Sequence, residues 1–401
     1  MKSNIFILLA FVLGACAGLL NQPIVFVSAK VLSGLFINFL KMISLPVIFL
    51  SIVATITNMT SLREAKHLLR KIVTYTVLTT LLSATIALIL FLQIKPQATG
   101  YLPATAAPDI HLPSYLSFIK SLIPSNIIQP FAENNVISVA FIATILSFAI
   151  LRLPKEHKAP LQTFFQALFQ ALLKVSSGIV RILPIGVFCF TVMLTNQLIS
   201  GDAPIKPLLL YACTVIGANL IQGLIALPLL LKSKGIAPLK LARAMFPALA
   251  TAFFSKSSNA ALPLALSSAQ KNANLSPRVS SFSFPLCSVI NMNGCAAFIL
   301  ITVLFVLSSS GYALTLPQML PWIAIASIAA IGNAGVPMGC YFLTSAFLIG
   351  FNVRLELMGL ILPLYSIFDM VETALNVWSD SCVTAITDKE LRTQEPLESA
   401  C

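Results

Sequence analysis

Charge is scarce in this chain. Only 9% of its 401 residues are Asp, Glu, Lys or Arg, while 58% are hydrophobic and the mean hydropathy is +0.93. A soluble domain carries about 25% charged residues, so a water-exposed globule of this length is excluded. Runs of roughly 20 apolar residues recur along the chain, and they fit a polytopic, all-α membrane protein. Acids are scarcer still: 13 against 25 basic residues, for a net charge of +12. In such a chain the basic excess reports membrane topology, and no nucleic-acid partner is needed to explain it.

Cysteine pairs and histidine clusters are also missing. The eight cysteines, at 16, 189, 213, 287, 295, 340, 382 and 401, form no CxxC, and the three histidines gather with none of them. Zinc-finger and thiol-redox chemistry is therefore not indicated, and buried apolar thiols are the default. No HExxH, GxGD or Ser/His pairing occurs within the apolar segments, which argues against an intramembrane enzyme. The first 20 residues, MKSNIFILLAFVLGACAGLL, have the form of a signal peptide, and LGAC at 13–16 resembles a lipoprotein cleavage site. A single lipid anchor adds nothing to a chain that already spans repeatedly, so a retained first helix is expected.

What is present begins with ten apolar segments, at about 4–20, 24–58, 68–94, 113–151, 160–197, 205–231, 244–269, 279–308, 319–350 and 355–387. Two are broken in the middle. In FPALATAFFSKSSNAALPLALSSA (246–269), apolar arms of about ten residues flank SKSSN. Ten helical residues reach about 15 Å, half of a hydrocarbon core about 30 Å thick. In 321–351, Gly332, Gly335, Pro337 and Gly339 interrupt the helix around GNAGVPMG. Both fit re-entrant hairpins whose tips meet near the midplane, although a polar loop between two ordinary helices is the plainer alternative. Irregular backbone at that depth survives only against protein or a wet cavity, and paired broken segments point to a transporter's binding site.

Charge agrees with eight spans and two re-entrant hairpins. The clusters Arg63, Lys66, Arg70, Lys71; Arg152, Lys155, Lys158; and Lys232, Lys234, Lys240, Arg243 then share one side with Lys271, Arg278, Lys389 and Arg392. Lys30, Lys95, Lys206 and Arg354 remain on the other side, which sets both termini in the cytoplasm of an inner (plasma) membrane protein.

Polar residues inside these segments mark the chemistry. FDMVETALNVWSD (368–380) holds three of the 13 acids. As a helix it lines Asp369, Thr373, Asn376 and Asp380 along one face, with Glu372 at the edge. A charge at the bilayer centre costs about 2.5–3.5 kcal/mol on insertion scales, so such residues turn inward and are functional by default. A structural ion pair, for example Glu372 with Lys256, is the bland alternative. Asn291, Asn293 and Gly294 break the helix that begins near 279, and Thr76, Thr79 and Thr80 share one helical side. Amides and unwound carbonyls are hard oxygen ligands of the kind Na⁺ needs, whereas threonines often bond only their own helix. A zwitterion suits the set: Asp369 for its ammonium, and Asn376, Ser257, Ser258 and freed N–H groups for its carboxylate.

Several motifs carry a family resemblance: LKMISLP (40–46), SKSSNAALP (255–263), INMNGC (290–295), GNAGVP (332–337) and the D-x-x-x-T-x-x-N-x-x-x-D of Asp369 to Asp380. Over nearly its whole length the chain resembles the dicarboxylate/amino acid:cation symporters, the glutamate transporter homologues. The D-x-x-E-T-A-L-N pattern is similar to that of the bacterial serine/threonine:sodium members. The resemblance implies a homotrimer of eight transmembrane helices and two re-entrant hairpins, working as an elevator. It divides the chain into 1–67 (scaffold helices 1–2), 68–112 (transport helix 3 and outer loop), 113–204 (scaffold helices 4–5) and 205–243 (helix 6). There follow 244–275 (hairpin 1), 276–312 (broken helix 7), 313–352 (hairpin 2), 353–388 (helix 8) and 389–401 (cytoplasmic tail).

By motif position, Asp369 binds the substrate ammonium and Asn376 and Ser258 its carboxylate, with Thr373 beside it. Gly335, Val336 and Pro337 form the outer gate. One Na⁺ site takes Asp380 with main-chain oxygens of Cys287, Asn291 and Asn376. A second takes carbonyls of Val289, Ala330, Ile331 and Asn333, with the Met292 sulfur nearby. No cofactor is implied beyond Na⁺ as coupling ion.

The departures from the family pattern are informative. Glu372 stands where acidic-substrate carriers have an arginine, and Cys295 replaces a threonine. A carboxylate there repels an acidic side chain, so a small neutral substrate such as serine, threonine or alanine is expected. Glu372 equally suits a cationic side chain, and acidic amino-acid or dicarboxylate symport, driven by Na⁺ or protons, is the runner-up. Asn293 replaces an aspartate and Thr76 a frequent tyrosine, so the third Na⁺ site (Thr76, Thr79, Thr80, Asn293) loses its anion. Fewer coupled Na⁺ are expected. Lys256 stands where many bacterial relatives have arginine, and it is a candidate to neutralise Asp369 or Glu372 when the site is empty.

Overall fold

The computed structural model describes residues 2–20, 22–57, 66–97, 123–133, 136–199, 205–331, 338–351, 353 and 355–398. All regular structure among these residues is helical. The helices of seven or more residues are α1 (Lys2–Leu19), α2 (Pro23–Thr57), α3 (Lys66–Ile94), α4 (Val136–Arg152), α5 (Lys155–Arg181), α6 (Leu183–Ile199) and α7 (Ile205–Ile221). After α7 come α8 (Leu227–Ser233), α9 (Pro238–Ser255), α10 (Ser258–Lys271), α11 (Pro277–Ile290), α12 (Asn293–Ser309), α13 (Pro321–Ile331), α14 (Gly339–Gly350) and α15 (Glu356–Glu398).

Four stretches among the described residues are long and apolar enough to cross a membrane: Leu68–Ile94, Ile205–Ser233, Pro277–Ser309 and Glu356–Arg392. The segment expected at 160–197 starts at Lys155 and breaks at Ile182, two residues before Pro184. α15 runs on to Glu398, through most of the stretch expected to be a tail. Its 43 residues extend about 65 Å.

α12 lies at the centre. Its sequence, NGCAAFILITVLFVLSS, has no polar face, and the helix is buried on nearly every side, as uniform apolarity requires. α3, α7, α13, α14 and α15 pack around it. Tyr211 of α7 stacks on Phe305 of α12 at 4.7 Å, and its hydroxyl meets Thr302 Oγ1 at 2.8 Å. α2 packs on α4, α5 and α6, while α14 bridges from α12 to α2 and α4.

Local signals set the breaks that position the site. α9 ends at Ser255, Lys256 adopts a left-handed conformation (φ 54°), and Ser257 caps α10 by accepting the Ala260 N–H at 3.2 Å. The SKSSN stretch is thus a sharp helix–turn–helix corner. The arm leading into it begins at Pro238, earlier than the 244 expected, because proline suits the first helical turn. α11 stops at Ile290, Asn291 and Met292 leave helical geometry (ψ 70° and 64°), and α12 restarts at Asn293.

Basic residues meet at one end of the bundle. Glu390 of α15 accepts hydrogen bonds from Lys71 Nζ (2.6 Å), Lys234 Nζ (2.7 Å) and the Tyr75 hydroxyl, tying α3 and the turn after α8 to α15. That bond to Glu390 holds the Lys234 ammonium above its ordinary pKa. At the same end Lys389 Nζ donates to Gly235 O (2.7 Å) and Arg392 pairs with Asp388 (2.9 Å).

Candidate functional site

The α15 stripe faces the break between α11 and α12, and the two are joined by side chains. Asn376 Oδ1 accepts the Gly294 N–H at 2.8 Å, which satisfies a first-turn donor of α12. Its Nδ2 points at Met292 Sδ (3.4 Å) and Cys295 Sγ (3.6 Å), both weak acceptors. Gly294 permits this approach. A Cβ there would lie 2.7 Å from Glu372 Cα and 2.9 Å from Asn219 Oδ1. Gly294→Ala is therefore expected to cost about 1–3 kcal/mol by overpacking and to lower the melting temperature of the purified protein. An unchanged melting temperature would show that α12 and α15 have room to part.

Beyond Asn376 lies a buried polar cluster. Asn291 Nδ2 donates to Asp380 Oδ1 (2.9 Å) and Ser379 Oγ (2.9 Å). Asn291 Oδ1 accepts from Thr79 Oγ1 (3.1 Å) and Asn293 Nδ2 (2.8 Å). Asp380 is 2% exposed and has no salt bridge among the described residues. A buried carboxylate with amide neighbours and no counter-ion is a cation-seeking group. The Cys287 carbonyl lies here too and accepts the Asn291 N–H at 2.8 Å.

The threonines of α3 join the same cluster. Thr79 Oγ1 and Thr80 Oγ1 also reach back to Thr76 O, at 3.1 and 2.8 Å. Gln222, which had no place in the sequence reading, enters from a π-helical turn (Gln222–Ala226) after α7. Its Nε2 donates to Asn293 Oδ1 (2.7 Å) and Thr79 O (3.0 Å). The π-turn, a common device at functional positions, joins α7 to the break. A glutamine inside an apolar helix was the available signal, but its partners are 71 and 143 residues away.

The second node lies one to two turns earlier on α15. Asp369 is partly exposed and interacts with Lys256 and with Thr373 one turn on. Lys256 Nζ donates to Ser366 Oγ at 3.2 Å. This corrects the expected alternative pairing of Lys256 with Glu372: Lys256 faces Asp369. Glu372 is 1% exposed, and among the described residues its carboxylate meets no N–H or hydroxyl donor, only the Cys340 thiol. It lies instead with Cys295 of α12 and Cys340 of α14, their ligand atoms all within 4.8 Å of one another. The Tyr365 hydroxyl, also without such a partner, is within electrostatic reach of Asp369 and Glu372. Cys340 and Tyr365 were missed because nothing in their local sequence separates them from core residues.

The remaining expected residues are placed as follows. Ser257 is engaged as the α10 cap, and Ser258 opens that helix half-buried. Val289 is half-buried near the end of α11, Met292 is buried in the break, and Ala330 and Ile331 end α13. The last carbonyls of a helix have no partner within the helix itself. Asn333, Gly335, Val336 and Pro337 lie outside the described residues.

The model of the sodium:dicarboxylate symporter family matches residues 4–390. A C4-dicarboxylate transport protein of Xanthomonas campestris is 28% identical, over 85% of this chain and 77% of its own. The L-cystine uptake protein TcyP of Shouchella clausii is 26% identical, over 88% and 78%. The proton/glutamate-aspartate symporter of Escherichia coli is 24% identical, over 88% and 83%.

Proposed function

The chain belongs to the sodium:dicarboxylate symporter family, and from that premise we propose that it is a Na⁺-coupled symporter of small neutral amino acids. It is a multi-pass membrane transporter and not an enzyme. The observation that carries the substrate reading is Glu372, a buried carboxylate that meets no N–H or hydroxyl donor among the described residues and only the Cys340 thiol beside it. A substrate hydroxyl satisfies such a group, whereas a substrate carboxylate meets like charge. Asp369 takes the substrate ammonium. Thr373, Ser257, Ser258 and the Asn376 amide, once it leaves its two sulfur acceptors, take the carboxylate. Cys295 lines the side-chain end, and Gly335, Val336 and Pro337 close the pocket.

The ions follow the same chemistry. Asp380 supplies the charge of one Na⁺ site, with oxygens of Cys287, Asn291 and Asn376. Val289, Ala330, Ile331 and Asn333 supply a second, with Met292 at its edge. At the third position Asn293, Thr76, Thr79 and Thr80 offer no anion, and the Gln222 amide already bonds Asn293 and Thr79. This supports coupling to fewer Na⁺. In this reading α9–α10 and α13–α14 are re-entrant hairpins in an elevator transport domain with α3, α7–α8, α11–α12 and α15. Helices α1, α2 and α4–α6 form the scaffold of a homotrimer in the inner membrane, with both termini cytoplasmic.

The second reading is acidic amino-acid or dicarboxylate symport, driven by Na⁺ or protons, as named for the X. campestris and E. coli relatives. Lys256, beside Asp369, favours it as a partner for a substrate carboxylate. Radiolabelled serine uptake in proteoliposomes separates the two, with threonine, alanine and glutamate as competitors and a Na⁺ or pH gradient as drive. Serine uptake is expected to need Na⁺, to yield to threonine and alanine, and to show a Na⁺ Hill coefficient below that of a three-ion carrier. Dominant competition by glutamate would overturn the substrate reading.

A further inference from the structure

Glu372, Cys295 and Cys340 come from three helices, α15, α12 and α14, yet their ligand atoms lie within 4.8 Å of one another. All three residues are buried, at 1%, 5% and 3% exposure. One Glu372 carboxylate oxygen belongs to this cluster, and the carboxylate meets no N–H or hydroxyl donor among the described residues, its neighbour there being the Cys340 thiol. The small radius is set by the packing that Gly294 permits, with Glu372 Cα against the start of α12. Two sulfurs and a carboxylate oxygen form the ligand set of a borderline-soft divalent cation, and neither Na⁺ nor Mg²⁺ favours sulfur. Three protein ligands with a fourth position left for water or substrate is a known tetrahedral zinc arrangement.

We propose that Cys295, Cys340 and Glu372 form a binding site for a thiophilic divalent cation, Zn²⁺ or its analogue Cd²⁺, within the carrier's substrate pocket. As the two metal–sulfur bonds form, each thiol releases its proton to solvent, and the Glu372 carboxylate supplies the third bond. The ion ties α14 to α12 and α15 and occupies the position assigned above to the substrate side chain. Bound metal and amino acid therefore exclude one another, and Zn²⁺ acts as a competitive inhibitor. That last step, unlike the site itself, rests on the proposed substrate pocket.

The experiment uses purified full-length protein in detergent, titrated with Zn²⁺ in a calorimeter. Cd²⁺ is added in parallel and read by the ultraviolet thiolate-to-cadmium charge-transfer band. One ion per chain is expected, with the band present. Cys295→Ser and Cys340→Ser are each expected to weaken binding at least about 100-fold, since even loss of a ligand's support costs 10–100-fold. Cys213→Ser, which changes an exposed cysteine of α7, is expected to leave binding unchanged.

Alkylation of the unmutated protein gives a reading that needs no variant to fold. Zn²⁺ is expected to protect Cys295 and Cys340, and not Cys213, as read by peptide mass spectrometry. Absence of Zn²⁺ binding, binding unaffected by both serine variants, or alkylation of Cys295 and Cys340 that proceeds equally fast with and without metal would each overturn the site while leaving the transport reading intact. Zn²⁺ binding that persists at saturating serine would instead overturn the competition, and with it the placement of the substrate side chain, while leaving the metal site standing.

Discussion

Asp380→Asn abolishes Na⁺-driven uptake while leaving the fold in place. The carboxylate is 2% exposed and accepts one amide hydrogen bond, from Asn291. The replacing amide has the same shape and its oxygen can still accept that bond, so the α11–α12 break keeps its hold on α15. What disappears is the charge. At an effective dielectric constant near 20, a unit charge pair about 4 Å apart is worth about 4 kcal/mol, or roughly three orders of magnitude in an equilibrium constant. The oxygen dipole that remains returns part of this, so the apparent Na⁺ affinity is expected to fall at least about 100-fold. Uptake and Na⁺-dependent thermal stabilisation report it together: the variant should melt near wild type without Na⁺ and gain little when Na⁺ is added. An unaltered Na⁺ midpoint would show that Asp380 is a structural acid and that the coupling ion binds elsewhere.

How much of this was legible in the sequence depended on whether the signal was local. The α11–α12 break announced itself because two asparagines and a glycine interrupt an apolar run, and backbone left unwound in such a run needs partners. The α15 stripe was legible because helical period alone decides which residues share a face. The α9–α10 corner was legible because the polar SKSSN interrupts an apolar run, although the arm before it has 18 residues and not the ten expected. Each of these features is carried by a single stretch of about 25 or fewer consecutive residues.

The unread parts depend on tertiary packing. Gln222 reaches Thr79 and Asn293 from a π-turn that no propensity scale marks. Cys340 meets Cys295 and Glu372 only because α14 folds onto α12. The continuation of α15 to Glu398 is anchored by Glu390, whose partners Lys71, Tyr75 and Lys234 lie 319, 315 and 156 residues away. The sequence displayed these residues as isolated polar positions, and only the fold turns them into networks.

Glu372→Arg inverts the substrate preference: serine uptake falls at least about 100-fold and aspartate uptake appears. Position 372 faces Cys295 and Cys340, with Asp369 one turn before it. An arginine there removes the anion that satisfies a substrate hydroxyl and adds a planar fork of donors that pairs bidentately with a side-chain carboxylate. It also adds volume to a site closed to 1% exposure, which costs about 1–3 kcal/mol if nothing moves. A loss of serine uptake by itself would therefore be ambiguous. Glu372→Gln resolves it, because it keeps the size and removes only the charge. A hydrogen bond to a charged group contributes about 1.5–3 kcal/mol, so this change should lower serine uptake about 10- to 100-fold and raise the aspartate-to-serine ratio. Wild-type protein that already prefers aspartate, or a Glu372→Gln variant with an unchanged ratio, would remove Glu372 from substrate selection.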